Sequence, residues 1–239
     1  MDRPLKFFDK FKDVKALFSL KAHGNMKGPE GEANKERFAE EYFREMFYPV
    51  LSDTRHGNVV CVIGEKHSVY PPKIVDFNPK CDAIVTRCKK LPIGVTGADC
   101  FVIFLYDPIE QVIGIIHASY KSIEAGVIEE AVKKMCLLGS KVKDILAVIG
   151  PGICASCYEF DTRDTGIFNK YPDSARNLQG GKSLVDLAFI IRWWLDDAGV
   201  ELLNMWETRI CTFENTALFS QRRDRFNPVQ AGMGVICLL

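Results

Sequence analysis

The chain of 239 residues carries 31 basic and 31 acidic side chains, a formal net charge of zero, so no excess charge draws it to nucleic acid or an anionic membrane. With 47% hydrophobic and 26% charged residues, 18 Gly and 11 Pro, its composition is that of a folded globular chain and excludes disordered and collagen-like structure. No Pro/Ser/Gly-rich linker or charge block divides the sequence, and residues 1–239 read as a single domain.

In chain order, the opening segment Met1 to Asp9 is too charged to contain the apolar core of a secretory signal, so a cytoplasmic location is expected. Gly24 to Gly31 is a polar loop, followed by Phe38, Tyr42 and Met46 at intervals of four, which predict an amphipathic helix over 34–47. Ile128, Ala131, Met135 and Leu138 repeat that period and stop at Gly139; Leu184, Leu187, Ile191, Trp194 and Ala198 stop at Gly199. Runs rich in Val, Ile and Phe at 59–63, 82–86, 101–106, 112–117, 144–149, 208–213 and 233–238 read as strands. Several are apolar at every position, so both sheet faces are expected to be covered, in an α/β or α+β arrangement. The longest apolar runs are about six residues, far short of the ~20 that span a bilayer, and no membrane partner is expected. The nine cysteines form an odd set without compact repeated spacing, which argues against a disulfide framework and for buried thiols.

One turn permits a sharper inference. Asp107-Pro108-Ile109-Glu110 has type I turn preferences, so the flanking runs should be antiparallel. If Asp107 pairs with Glu110, then Tyr106 faces Gln111, Val102 faces Ile115, and Cys100 lands opposite His117 on one face of the sheet. Only four histidines are present, His23, His56, His67 and His117, so one of them facing a cysteine is informative. The pair has two further readings: a satisfied strand-end histidine beside an inert thiol, or a metal-free cysteine hydrolase with Cys100 as nucleophile and His117 as base.

Cys100 stands in Thr96-Gly-Ala-Asp-Cys100, His117 in His117-Ala-Ser-Tyr-Lys-Ser122, and His67 in Gly64-Glu-Lys-His67, with sixteen residues between Cys100 and His117. Together with Cys81-Asp-Ala-Ile-Val-Thr86, Ile149-Gly-Pro-Gly-Ile153, Cys157-Tyr-Glu-Phe160, Cys211-Thr212 and Phe219-Ser-Gln-Arg-Arg-Asp224, this set resembles the YfiH-like family, also called the multicopper polyphenol oxidase or laccase-domain family. The resemblance runs from about Phe18 to Leu239. It implies a mixed β-sheet sandwich flanked by helices, and one Zn2+ held by His67, Cys100 and His117 with a fourth position open for water or substrate. Four histidines are too few for several copper centres, so the laccase label is not expected to describe the chemistry. The resemblance also implies phosphorolysis of adenosine, inosine or methylthioadenosine and deamination of adenosine. The partners are then a small-molecule nucleoside and phosphate, with the protein a monomer or small homo-oligomer.

Several residues depart from the pattern that the family resemblance sets. The segment after the third ligand resembles His-Ala-Gly-Trp-Arg-Gly but reads His117-Ala-Ser-Tyr-Lys-Ser, and an N-terminal Phe-Ser-Thr-Arg pattern reads Phe18-Ser-Leu-Lys21. Lysine cannot reproduce arginine's bidentate fork on phosphate, so phosphate affinity and substrate choice are the properties placed in question. The glycine that follows the first ligand is Ser68, and the Thr-Gly-Arg after the paired arginines is Asn227-Pro-Val-Gln230. These changes motivate an alternative to the enzyme, a catalytically degenerate family member retained for binding. Lys21, His23, Lys121 and Arg223 are the candidate substrate contacts, and Asp99 a candidate proton-transfer or supporting group. Cys154-Ala-Ser-Cys157 reads as a redox pair or half of a structural zinc site, lacking a second matching pair in sequence; His56-Gly57 reads as a turn, and Gly150-Pro-Gly152 as a turn or anion cradle.

Overall fold

The computed structural model describes residues 3–43, 50–51, 54–64, 80–161 and 170–239. His67 and Ser68 lie outside the described residues. In chain order the elements are β1 (Leu5–Phe7), β2 (Val14–Phe18), α1 (Gly31–Tyr42), β3 (Val50–Leu51), β4 (Val60–Ile63), β5 (Ala83–Thr86), β6 (Ile93–Gly97), β7 (Phe101–Asp107) and β8 (Val112–Ala118). There follow α2 (Tyr120–Glu124), α3 (Val127–Leu137), β9 (Leu146–Ile149), β10 (Glu159–Asp161), β11 (Ala175–Asn177), β12 (Lys182–Val185), α4 (Leu187–Asp197), β13 (Met205–Glu207), α5 (Gln221–Asp224) and β14 (Gly232–Leu238).

The strands form a six-stranded sheet, β13-β9-β7-β8-β5-β4, and a five-stranded sheet, β1-β2-β14-β6-β3, with a small third sheet, β10-β12-β11. Both large sheets mix parallel and antiparallel pairs. Alternation along the strands sorts the core into three slabs. Val102, Phe104, Tyr106, Ile113 and Ile115 meet Phe18, Ile93, Val95 and Ile236 between the sheets. Their neighbours Phe101, Ile103, Leu105 and Ile116 point the other way, onto α3 and α4 through Ala131, Met135, Ile191 and Leu195. On the far side of the five-stranded sheet, Leu17, Met233 and Val235 pack on Phe38 of α1. The result is a single α/β sandwich with helices outside, as the family resemblance implies. Every residue of β7 and β8 is buried because each strand lies between two apolar layers.

The hairpin differs from its expected register. Observed partners are Asp107↔Val112, Phe104↔Ile115 and Val102↔His117, two positions away from the Asp107–Glu110 pairing. The loop holds four residues: Asp107 Oδ1 accepts the N–H groups of Ile109 and Glu110 at 2.8 and 3.1 Å, and Gln111 adds a left-handed residue at φ 54°. A slip of two preserves side-chain parity, so Cys100 and His117 stay on the same face, as diagonal rather than direct neighbours. The expected strand at 208–213 is also displaced. Pairing with β9 ends at Glu207, and Arg209 turns left-handed at φ 53°, leaving only an isolated bridge from Cys211 to Gly152. The helix expected over 34–47 begins at Gly31, and 44–49 lie outside the described residues.

A candidate metal centre at the rim of the six-stranded sheet

Strand directions determine which residues meet. The first residues of β4, β5 and β7 and the last of β8 lie at one rim of the six-stranded sheet, as the pairings Val60↔Ala83, Ala83↔Ile116 and Phe101↔Ala118 require. Asp82 precedes β5, Cys100 precedes β7, His117 is next to last in β8, and His56 lies on the turn entering β4. A nitrogen of His56, the sulfur of Cys100 and a nitrogen of His117 all fall within 4.8 Å of one another. His117 is buried, Cys100 half-buried and His56 exposed, so the group opens to solvent on one side.

Asp82, fully buried, organises this group. Its Oδ1 accepts the backbone N–H of His56 at 2.8 Å and faces His117 Nδ1 at 3.1 Å; its Oδ2 accepts the N–H of Gly57 at 2.8 Å and of Arg55 at 3.2 Å. His56 adopts φ 58°, which curls three successive N–H groups around the carboxylate. The backbone of His117 donates to the Asp82 carbonyl at 2.7 Å, clamping the strands together. Burial disfavours the charged carboxylate, but His117 and the Gly57 and His56 amides outweigh it and hold Asp82 below the usual range. Burial likewise pushes His117 down, while Asp82 and Cys100 raise it to about 9. His56 is lowered, by burial first and by the charge of His117 next.

The donor set fits zinc. Two imidazoles and a thiolate are its preferred ligand types, the three atoms are close enough to share one ion, and Asp82 holds Nδ1 of His117 so that Nε2 faces the group. An exposed side at His56 leaves room for a fourth ligand.

The wall beside Cys100 is aromatic. Phe160 packs edge-on against Tyr158 at 4.6 Å and Tyr120 at 5.7 Å between ring centroids, and the Arg222 guanidinium lies 5.4 Å from the Tyr158 ring. Burial and the nearby Cys100 push the Tyr158 hydroxyl well above its ordinary pKa, so it remains a donor. The charges of Lys27 and Lys121 both bear on His56.

The other expected site residues are distributed differently. Asp99 lies beside Cys100 at φ 86°, but its carboxylate is occupied by the Thr212 hydroxyl at 2.7 Å and the Arg222 N–H at 2.6 Å, and it supports the loop. Arg223 donates to the carbonyls of Thr212, Phe213, Asn215 and Leu218 and to the Asp224 carboxylate, pinning its own loop. Lys21 pairs with Asp224 at 2.8 Å. His23 accepts from Leu20 N–H at 2.9 Å and stacks edge-on against Phe38 and Tyr42. Lys121 is exposed, 5.8 Å from the Tyr120 ring. Ser119, in place of a glycine, caps α2 by accepting from Ser122 N–H at 3.1 Å. Gly150 and Gly152 spend their N–H groups on Val102 and Ile210 carbonyls, so that segment is a turn and not an anion cradle.

Fold and rim together define a layered α/β protein with a compact nitrogen–sulfur donor set beside an aromatic wall. The chain belongs to the multi-copper polyphenol oxidoreductase laccase family, whose model matches residues 18–237. It is 31% identical to purine nucleoside phosphorylase ORF3 of Streptomyces griseus, over 84% of this chain and 79% of that protein. A protein from an unknown prokaryotic organism named adenosine deaminase RL5 is 33% identical over 64% of this chain and 61% of its own length. The fold matches the crystal structure of the Bacillus licheniformis hypothetical protein YfiH with a TM-score of 0.85 at 23% identity, covering 100% of this chain and 98% of that one. YlmD from Geobacillus stearothermophilus matches with a TM-score of 0.84 at 23% identity, covering 96% of this chain and 93% of that one. Among the described residues no helix is long and apolar enough to cross a membrane.

The sequence motif points to His67, which lies outside the described residues, as the second imidazole; among the described residues the imidazole beside Cys100 and His117 is that of His56, with Asp82 behind it. The signal for His56 was its position just before a strand that runs parallel to the one preceded by Asp82. That signal emerges only once β4 is known to neighbour β5.

Proposed function

We propose that this chain is a zinc-dependent purine nucleoside phosphorylase that also deaminates adenosine, with the metal held by His56, Cys100 and His117. The observation that carries the reading is the convergence of those three ligand atoms within 4.8 Å. The substrate class is that named for the Streptomyces griseus and RL5 relatives. Zinc held by His56, Cys100 and His117 would supply Lewis acidity and activate water at neutral pH.

The chain's own residues do the rest. Asp82 fixes the ring orientation and tautomer of His117. Tyr120, Tyr158 and Phe160 offer stacking surface to a purine, and the Tyr158 hydroxyl donates a hydrogen bond to it. Lys121, Lys27 and Arg222 supply the positive charge that phosphate requires near the sugar's anomeric carbon. Lys121 acts there as a point charge rather than a bidentate fork, and weak phosphate affinity is the consequence.

The test incubates zinc-loaded protein with adenosine, with and without phosphate, and follows adenine and inosine by chromatography. Adenine that depends on phosphate, inosine that does not, and loss of both in Cys100→Ala and His117→Ala support the reading. Absence of both products sinks it. A second reading rests on the contact of His117 with both Cys100 and Asp82, the geometry of a cysteine nucleophile with an oriented base. Full hydrolytic activity in excess chelator favours that reading over the metal centre.

A further inference from the structure

We propose that the chain carries a second, structural metal site, in which Cys154, Cys157, Cys211 and Glu214 hold one zinc-class cation and tie two loops together. The Cys154-x-x-Cys157 pair lacks a second half in sequence, and tertiary structure supplies it from the loop after β13. One ligand atom from each of the four residues lies within 4.8 Å of all the others. A tetrahedral zinc with thiolate ligands about 2.3 Å away separates neighbouring donors by roughly 3.8 Å. Cys157 Sγ and Glu214 Oε1 stand 3.7 Å apart.

The backbone already has the shape of a metal-binding knuckle. The N–H groups of Cys157 and Tyr158 both donate to the Cys154 carbonyl at 3.0 Å, closing the turn that brings the first two sulfurs together. Cys211 Sγ accepts the Cys154 N–H at 3.3 Å.

The alternatives fit less well. All nine cysteines are free thiols, so no disulfide accounts for the cluster. A redox reading uses only the Cys154 and Cys157 pair and gives no role to Cys211 and Glu214, whose ligand atoms lie within the same 4.8 Å. Three sulfurs and one carboxylate select a borderline-soft ion over calcium or magnesium. The cluster is distinct from the His56, Cys100 and His117 group but supports it. Ile153, next to Cys154, donates its N–H to the Asp99 carbonyl at 2.9 Å, and Thr212, next to Cys211, donates its hydroxyl to the Asp99 carboxylate. Both loops therefore grip the residue before Cys100.

The test measures zinc per chain by elemental analysis, and the absorption of the cobalt-substituted protein, in wild type and in the Cys100→Ala/His117→Ala double variant. The second site keeps all four residues in that variant, so the measurement does not depend on whether cluster variants fold. Wild type is expected to hold about two ions and the double variant about one, with cobalt there showing thiolate charge-transfer bands. Adding Cys157→Ser should weaken those bands by about a third, as one of three thiolates is lost. A wild-type protein that binds no ion overturns the proposal, as does a folded double variant that binds no zinc or cobalt, or binds cobalt without thiolate bands. Because the readout is stoichiometry and not catalysis, failure here leaves the nucleoside reading standing, and failure of that reading leaves this one.

Discussion

Replacing Asp82 with asparagine tests whether the buried carboxylate orients the metal ligand or merely closes a turn. It receives three backbone N–H groups and faces His117 Nδ1, at distances from 2.8 to 3.2 Å. Asparagine keeps one acceptor oxygen and turns an NH2 group towards donors formerly paired with the other. Each charge-assisted bond contributes about 1.5–3 kcal/mol, so losing two costs about 3–6 kcal/mol if nothing moves. The turn at Arg55 and His56 is exposed and can shift towards water, which reduces the loss to roughly 2–4 kcal/mol. At about 2–4 °C per kcal/mol for a chain of this size, Tm should fall by roughly 5–15 °C. Zinc affinity, measured by competition with a chromophoric chelator, should drop about 10- to 100-fold, because His117 loses the partner that fixes its tautomer. A variant that loses stability but binds zinc at the His56, Cys100 and His117 centre within twofold of wild type would refute the orienting role.

Four further substitutions probe the site and its supports. His56→Ala should remove one zinc equivalent and both nucleoside activities, whereas His67→Ala should leave the metal content unchanged; the reverse result would move the third ligand to His67. Asp224→Asn should destabilise by about 1–3 kcal/mol at neutral pH, because Asp224 is largely buried and paired with Arg223 and Lys21. Arg223 chiefly, and Lys21 after the opposing effect of burial, hold the Asp224 carboxyl well below the usual range. Its stabilising contribution is therefore complete above the ordinary carboxylate pKa and is lost as pH falls through the lowered native value. The gap in Tm between wild type and variant should be constant near neutrality and shrink below about pH 4; a gap that widens in acid contradicts the assignment. Gly150→Ala should cost about 1–3 kcal/mol in chemical denaturation, since a Cβ there would sit 2.7 Å from the Val102 carbonyl oxygen, backbone that cannot swing aside. An unchanged midpoint would show that β7 and β9 can separate.

What the sequence disclosed depended on how local the information was. Helical periods ending at Gly139 and Gly199 gave α3 and α4 to within a few residues, because an apolar stripe and a left-handed stop lie in one short window. Apolar runs gave β7 and β8, but not β6, whose Gly94 and Gly97 interrupt the pattern. Gly234 of β14 leaves space that Val102 and Phe104 fill from the other sheet, a reason for glycine visible only across the sandwich. The hairpin shows the limit most clearly. Its turn type was legible, but the left-handed Gln111 that lengthens the loop was not, because glutamine carries no signal for that conformation. Two-residue periodicity nonetheless kept Cys100 and His117 on the same face, so a register off by two still brought these side chains together. The second imidazole had no such protection. The approach of His56 follows from the parallel pairing of β4 with β5, a contact between segments joined by a stretch outside the described residues. The partners of Arg223 were hidden for a related reason: the carbonyls its guanidinium bonds come from a loop whose path depends on the left-handed turn at Arg209. Ligand type could be read from composition and motif, whereas ligand identity required the topology that brings four strand ends to one rim.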